Sequence, residues 1–148
     1  MDSGISMDTL EDARAFFQKD RFATEAGMTI EEAAPGRAVI RLTLTEAHQN
    51  AMGCPMGGVL CTMADFACAV ASNFGTGTGL HVSADANVSF LNPCLGQVLT
   101  AEAVCIKPGK RLSWYEVTIR DDLEILLIKA TFIMCTVDAK PAPQNTIE

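Results

Sequence analysis

The segment Gly57–Asn73 constrains the fold of this chain more than any other part, because it is almost wholly apolar and carries a single charged residue, Asp65. Its apolar side chains fall on every face of a helix, which is typical of a helix inside a protein. A membrane span requires roughly 18 uninterrupted apolar residues, and Asp65 interrupts this segment. We therefore predict a buried central helix that the rest of the chain surrounds.

Four strand-like runs follow this helix. Residues 80–90 alternate strictly between apolar and polar side chains, the pattern of a strand with two different faces. Three further runs of strand-forming residues are present, at 97–107, 112–120 and 123–137. Turn-forming residues separate these three runs, at Pro108-Gly109 and Asp121-Asp122. The order predicts an antiparallel meander of four long strands.

The residues ahead of the central helix predict two smaller units. Residues 7–20 place apolar side chains at helical spacing, so we expect a short amphipathic helix with Asp8 as its N-cap. Residues 26–33 and 37–44 predict the strands of a hairpin, because Pro35-Gly36 between them supplies the φ angles that a tight turn uses.

Together these elements predict one α+β domain over residues 1–148, in which a curved antiparallel sheet wraps the central helix. A chain of 148 residues is long enough to bury one such core. We expect the core at residues 7–137 and loose termini at residues 1–6 and 141–148.

Charge and cysteine content argue against several functions. A net charge of −7 disfavours nucleic acid as a partner, since binding of the phosphate backbone needs a surface rich in Lys and Arg. The six cysteines include no C-x-x-C pair and the chain has two histidines, so we expect reduced thiols and no metal site. The first ten residues are acidic and carry no basic group, which is the wrong order for a secretory signal. We expect a cytoplasmic protein without a membrane partner.

Asp65 is the candidate functional residue that the composition of the helix identifies. A buried, unpaired carboxylate costs several kcal/mol, so either a partner or a function has to account for it. The residues alone leave two interpretations open. Asp65 is either a carboxylate satisfied by backbone amides or a subunit interface, or it is a catalytic group.

The loop before the helix carries an ordered motif. Residues 48–58 read His-Gln-Asn-Ala-Met-Gly-Cys-Pro-Met-Gly-Gly, and Ala64-Asp65 follow on the predicted helix. This arrangement resembles the PaaI-type hotdog acyl-CoA thioesterases, whose pattern runs H-x-N-x-x-G-x-x-H-G-G before an Asp or Glu on the helix. Residues 89–93 with Gly96, and the turn at Pro35-Gly36, also look like that family. The resemblance covers about residues 7–137 and implies a hotdog fold.

The resemblance also implies roles for individual residues. Gly57 and Gly58 open a helix whose first amides have no internal partners, so a ligand carbonyl can come close to bare backbone. By resemblance, the Gly57 amide and the Asn50 side chain polarise the thioester carbonyl, while Asp65 attacks it or activates a water. Ser83 is at a position that orients this water in some relatives. No metal or redox cofactor is implied, and coenzyme A enters as part of the substrate.

Structural interpretations remain open for the polar residues of the motif. Asn50 either assists the carbonyl or caps a loop, and Ser83 either orients water or lines a polar strand face. His48 is either a substrate contact or a hydrogen-bonding loop residue. His81 shares the face of Ser83 and lies either near the site or at the surface.

Met56 departs from the family pattern, which has His at that position. A thioether cannot donate a proton, so the auxiliary role of the histidine is absent, and Met56 is expected to line an acyl pocket instead. Activity should survive, because the resemblance assigns the central chemistry to the carboxylate and the backbone amide.

Three basic residues cluster at one predicted turn: Lys107, Lys110 and Arg111. Such a run is either a solvated turn or, against an acidic background, a contact for the phosphates of coenzyme A.

The predicted function is hydrolysis of an acyl-CoA thioester to a free acid and coenzyme A. The alternatives are a non-catalytic acyl-CoA or acyl-carrier binding protein, a hotdog dehydratase or hydratase, and a small structural protein. The dehydratase or hydratase would need a histidine beside the helix carboxylate. The resemblance implies a homodimer whose sites combine Asp65 of one chain with Gly57 and Asn50 of the other, and we expect a homotetramer.

Overall fold

The computed structural model describes residues 6–77 and 79–138, which form six strands and three α-helices. In chain order the elements are α1 (Leu10–Phe17), α2 (Arg21–Glu25), β1 (Thr29–Ala34), β2 (Arg37–Thr43), α3 (Gly57–Asn73), β3 (Leu80–Phe90), β4 (Val98–Lys107), β5 (Leu112–Asp121) and β6 (Leu126–Val137). A short 3₁₀ turn at Glu46–His48 lies in the loop before α3.

A six-stranded antiparallel sheet, in the order β1-β2-β4-β5-β6-β3, curves around α3. The inner side of the sheet and the helix share one apolar core, in which Met63, Ala67 and Val70 of α3 are fully buried. This arrangement confirms the predicted hotdog architecture, and α3 and β3 have the bounds that their periodicity predicts.

The predicted four-strand meander is wrong at one connection. β3 pairs with β6, from Leu80↔Val137 to Phe90↔Ile128, and not with β4, which lies between β2 and β5. The Asp121 carboxylate holds the segment that follows β3. Asp121 accepts hydrogen bonds from the Leu95 and Gly96 amides, so the segment that enters β4 is held at the β5–β6 turn, and β6 and β5 lie between β3 and β4 in the sheet.

The predicted N-terminal helix is interrupted and its cap is Thr9, not Asp8. The Thr9 hydroxyl accepts from the Asp12 amide at 3.1 Å, and the Asp12 carboxylate accepts from the Thr9 amide at 3.0 Å. This reciprocal pair is a capping box, which satisfies two amides at once. α1 ends at Phe17, and α2 starts as a separate turn after Asp20.

Two predicted strands begin later than expected. β1 starts at Thr29 instead of residue 26, because residues 26–28 continue from the end of α2 through hydrogen bonds back to that helix. β6 starts at Leu126, because Glu124 has a positive φ of 62° in the turn that follows β5.

The central helix is not buried on every side. Ten of its residues are buried, but Gly58 and Asp65 are exposed, and Thr62 and Ala69 are half-buried. These four positions have helical spacing, so they form one stripe, which the sheet and the two short helices leave open. The expected cost of burying the Asp65 carboxylate in the chain core is therefore not incurred.

Within the described residues, no helix is long and apolar enough to cross a membrane. The predicted loose termini lie outside the described residues, apart from Ser6.

Candidate active site

Asp65 and Ser83 meet where the open stripe of α3 faces β3. The Ser83 hydroxyl donates a hydrogen bond to Oδ1 of Asp65. The second carboxylate oxygen, Oδ2, accepts no hydrogen bond from the described residues, so it is free to take a proton or to attack an electrophile. The structure thus brings together two predicted site residues, with the hydroxyl fixing the orientation of the carboxylate.

The start of β3 is fixed to the end of α3 by Asn73, a residue that sequence reasoning missed. Its Oδ1 accepts from the His81 amide at 2.9 Å, and its Nδ2 donates to the His81 carbonyl at 3.0 Å and to the Ala69 carbonyl at 2.8 Å. The Asn73 side chain is buried. Because Ser83 lies two residues beyond His81, these hydrogen bonds of Asn73 set the distance between Ser83 and Asp65.

His81 lies at the site and not merely at the surface. It is half-buried, and its ring Nδ1 contacts the Ser72 carbonyl. A carbonyl can only accept, so Nδ1 carries the hydrogen. Nε2 has no partner among the described residues, and His81 lines the same cleft as Asp65 and Ser83.

Three clefts surround the open stripe. Asp65 lines two of them, with volumes of about 360 Å³ and 320 Å³. The first lies against α2, and the second lies between the end of α1 and the start of β3, where Phe16, Phe17 and Met134 form apolar walls. A third cleft of about 880 Å³ lies at the start of α3 and includes Met56 and Gly58.

Asp65 influences two neighbouring groups. Burial raises the pKa of the Cys68 thiol, and the Asp65 carboxylate raises this pKa further. Partial desolvation raises the pKa of the Asp20 carboxyl, and the charge of Asp65 adds to that effect. Asp65 therefore acts as a local negative charge at the boundary between the core and the clefts.

Asn50 shapes the loop ahead of α3. Its side-chain Oδ1 accepts from the backbone amides of Met52 and Cys54 at 2.9 and 3.1 Å. The backbone amide of Asn50 donates to the Cys54 carbonyl at 2.7 Å. The side-chain Nδ2 donates to no acceptor in the described part of the chain. Asn50 thus forms the loop as one interpretation expected, and this arrangement leaves Nδ2 as a free donor.

The first turn of α3 presents backbone donors. Met56 is the N-cap residue and provides no side-chain cap, and the Gly57 amide has no acceptor among residues 6–77 and 79–138. A Cβ at Gly57 would lie 3.2 Å from the Phe90 ring, whereas one at Gly58 would meet nothing within 4 Å. The bare amides at the positive end of the helix dipole form a suitable site for a carbonyl oxygen.

Gly57 and Asp65 of one chain are too far apart to act on the same carbonyl group. They are eight residues apart on α3, which separates them by about 12 Å along the helix axis. A carbonyl bound at the Gly57 amide would therefore lie far outside the reach of Asp65. The structure of one chain does not bring these two halves of the predicted site together.

His48 has a structural environment. It is buried, its Nδ1 accepts from the Thr45 amide at 2.9 Å, and its Nε2 lies 2.6 Å from the Ala26 carbonyl, to which it donates. Both ring nitrogens are occupied, so His48 ties the loop to the end of α2 and has no free position for substrate. Met56, by contrast, is 57% exposed at the largest cleft.

The basic cluster lies at the β4–β5 turn. Lys107, Lys110 and Arg111 are exposed, and Nζ of Lys107 lies 5.2 Å from the centre of the Trp114 ring. Thr136 of β6 binds the backbone carbonyls of Lys110 and Arg111, at 3.1 and 2.8 Å. Since Thr136 pairs with His81, this turn lies at the same end of the sheet as the start of β3.

The chain matches known proteins in sequence and in fold. The model of the thioesterase superfamily matches residues 52–127. The acyl-coenzyme A thioesterase PaaI of Escherichia coli strain K12 is 33% identical over 111 residues, which are 74% of this chain and 77% of that protein. Human acyl-coenzyme A thioesterase 13 is 31% identical over 91 residues, 61% of this chain, and the match spans 65% of the human protein's length.

Among solved structures, the E. coli PaaI protein of the phenylacetic acid degradation operon superposes with a TM-score of 0.79 at 26% identity. The superposition covers 86% of this chain and 91% of that one. A thioesterase family protein from Silicibacter pomeroyi superposes with a TM-score of 0.78 at 23% identity, over 85% and 96% of the two chains, and shares the fold.

Proposed function

We propose that this chain, which belongs to the thioesterase superfamily, hydrolyses acyl-CoA thioesters to a free acid and coenzyme A. The observation that carries the proposal is the Asp65 carboxylate, which Ser83 orients while one of its oxygens stays free at the junction of two clefts. The named activity of relatives such as PaaI supports acyl-CoA as the substrate class.

The chemistry follows from the groups at the site. The Gly57 amide and Nδ2 of Asn50 donate to the thioester oxygen and stabilise the negative charge that develops there. Asp65 either takes a proton from a water that attacks the carbonyl carbon or attacks this carbon itself, and the carbon–sulfur bond breaks. In the second case a water then hydrolyses the anhydride between the acyl group and Asp65, which releases the acid and restores the carboxylate. The proposal includes no metal and no redox cofactor.

A homodimer is part of the proposal, with Asp65 of one chain facing Gly57 and Asn50 of the partner subunit. The separation of about 12 Å along α3 supports it, because two such chains can supply the missing halves to each other. β3 is an edge strand with an exposed Val82 (46%) and Phe90 (57%), which pairing with a second β3 would cover. We extend the proposal to a homotetramer of two such dimers.

We further propose that the basic turn binds the nucleotide phosphates of coenzyme A. Lys107, Lys110 and Arg111 are exposed, and none of them forms an ion pair with an acidic side chain of the described residues. They lie at the end of the sheet where β3 starts. A cytoplasmic location also belongs to the proposal, and the six unpaired cysteines support it.

The competing function is an acyl-CoA binding protein without turnover, which the exposed Met56 in place of histidine favours. A panel of acetyl-, hexanoyl-, palmitoyl- and benzoyl-CoA separates the two functions. Free thiol release is measured with a chromogenic disulfide, and binding is measured by calorimetry on the same samples. Hydrolysis of at least one member supports the proposal. Tight binding of an acyl-CoA, with free thiol released no faster than in buffer without protein, would instead identify a binding protein.

A further inference from the structure

We propose that Asp20 is a second carboxyl group of this active site, which supplies the proton taken up by the leaving thiolate. This inference rests on the proposed hydrolase function. Asp20 lines both clefts that Asp65 lines, and these clefts are otherwise formed by different parts of the chain. The two carboxyl groups therefore face the same space from α2 and α3.

The Asp20 side chain does not cap α2, although its position at the start of that helix favours capping. Asp20 is the N-cap residue of α2, where an aspartate normally accepts a hydrogen bond from the helix. Here it makes no side-chain cap bond, and its carboxylate accepts no hydrogen bond from any described residue. An unpaired carboxyl group that faces a cleft is available for chemistry.

The surroundings of Asp20 favour retention of a proton. Partial desolvation raises its pKa, and the negative charge of Asp65 raises it further. Arg21, which lines the first of the two clefts, is paired with Glu25 at 3.2 Å. Neither cleft is lined by Lys19, whose Nζ lies 5.9 Å from the centre of the Phe16 ring, or by Cys68, whose thiol pKa is raised.

His81 is the remaining titratable group at the second cleft. Its Nδ1 is committed to the Ser72 carbonyl, and Nε2 is open. A role in proton transfer could therefore belong to His81 instead of Asp20. The experiment has to distinguish the two residues.

Proton transfer through Asp20 balances the reaction. Hydrolysis places the hydroxide part of one water on the acyl carbon and its remaining proton on the sulfur. When the carbon–sulfur bond breaks, protonated Asp20 gives its proton to the sulfur. The Asp20 carboxylate then regains a proton from the attacking water, directly or through Asp65, so both groups return to their starting states. Position 56, a methionine, has no proton to offer.

The first test is the pH profile of kcat/KM for the best substrate of the acyl-CoA panel, measured for wild type, Asp20→Asn and Asp20→Glu. We expect Asp20→Asn to lower kcat/KM by about 100-fold and to remove the alkaline decline of the profile, because this variant has no proton to lose. Asp20→Glu should keep the decline. Glu11→Gln is the matched control, since it removes an exposed charge on α1 away from both clefts.

A pH profile of kcat/KM for Asp20→Asn that has the wild-type shape would overturn the assignment of Asp20 as the proton donor. A lower rate alone does not support this assignment, because a structural defect lowers the rate at every pH without changing the shape of the profile. Loss of the alkaline decline in His81→Gln and its retention in Asp20→Asn would transfer the role to His81.

The second test requires no turnover. Carbon-13 NMR of the aspartate carboxyl groups should show Asp20 titrating at a lower pH in Asp65→Asn than in wild type, because the neighbouring negative charge has been removed. Identical titration of Asp20 in the two proteins would refute the pairing. If the wild type hydrolyses no acyl-CoA, the proposed function fails, and this second measurement still decides whether the two carboxyl groups interact.

Discussion

At the scale of single residues, the site depends on which polar atoms are already occupied. Asn50 and His48 lie in one loop, but the hydrogen bonds of His48 use both of its ring nitrogens, whereas those of Asn50 leave Nδ2 free. Met56, at the end of the same loop, is exposed beside the Gly57 amide and offers no donor.

Met56→His should raise kcat/KM by about tenfold for at least one acyl-CoA, which corresponds to about 1.4 kcal/mol of transition-state stabilisation. The added imidazole can donate to a group bound at the Gly57 amide. Initial rates over the acyl-CoA panel measure the effect. Met52→His is the control, because Met52 is exposed in the same loop but does not line the large cleft. An unchanged rate for every acyl-CoA would show that position 56 is outside the site.

The candidate residues of the motif could be predicted because their order and spacing resemble the pattern of the PaaI-type thioesterases. Asn73 could not, since its role depends on a backbone segment that reaches it only after folding. Its one signal in the sequence is a polar residue at the end of an apolar helix. Asp20 could not be predicted either, because the sequence places it at the end of one helix over residues 7–20, and the start of α2 after Asp20 is seen only in the structure.

At the scale of elements, the connections between strands determine where β3 lies. The Asp121 carboxylate is buried and accepts from the amides of Leu95, Gly96, Leu123 and Ile125. Burial alone would raise its pKa, but the four amides outweigh that effect and hold the pKa below its usual range. Asp121 thus joins the β3–β4 connection to the β5–β6 turn.

Asp121→Asn should lower the melting temperature at pH 7, because a neutral amide cannot accept from four amides as a carboxylate does. A carboxyl group with a lowered pKa stabilises the fold above its unfolded pKa of about 3.9, and this contribution is lost as the pH falls through the folded pKa. The difference between variant and wild type should therefore shrink below about pH 4. Thermal denaturation between pH 2.5 and 7 tests this, with Glu31→Gln as the exposed control. A constant difference over that range would contradict it.

Replacing Lys107, Lys110 and Arg111 together by alanine should raise KM for acyl-CoA and leave kcat unchanged. The contacts proposed are to nucleotide phosphates, so a thioester of a small uncharged thiol should be hydrolysed as by wild type. Added salt should weaken wild-type binding of acyl-CoA, because exposed charges are screened over about 8 to 10 Å. An equal change of KM for acyl-CoA and for the small thioester would show that this turn does not bind the nucleotide of coenzyme A.

Element types and most element bounds follow from the sequence because periodicity and turn residues are local signals. The central helix and β3 match their predicted bounds for this reason. The position of β3 beside β6 depends on backbone pairing between residues that are far apart in the sequence, from Phe90 with Ile128 to Leu80 with Val137. Such a pairing has no local pattern, so a simple meander is the wrong prediction.

At the scale of the whole molecule, the sheet ends at β3 with apolar side chains exposed, and the Gly57 amide and the Asp65 carboxylate lie at different places along α3. A dimer formed through β3 would resolve both features. It would also make the activity of each site depend on two chains.

Mixing Asp65→Asn with Asn50→Ala after unfolding and reassembly should restore activity in mixed dimers, because one of their two sites is intact. With random exchange, half of the dimers are mixed, so about a quarter of wild-type activity is expected. Native mass spectrometry confirms the exchange, and each variant reassembled alone is the control. Mixtures that remain inactive after proven exchange would place the whole site within one chain.

The most direct measurement is the rate of coenzyme A release by Asp65→Asn beside wild type, at saturating concentrations of the best substrate. The variant keeps the size of the side chain and the Ser83 contact but cannot act as a base or nucleophile. The rate should fall by about 10²- to 10⁴-fold, with acyl-CoA affinity changed by no more than a few-fold. Turnover by Asp65→Asn at the wild-type rate would contradict the assignment of this chain as a carboxylate-dependent thioesterase.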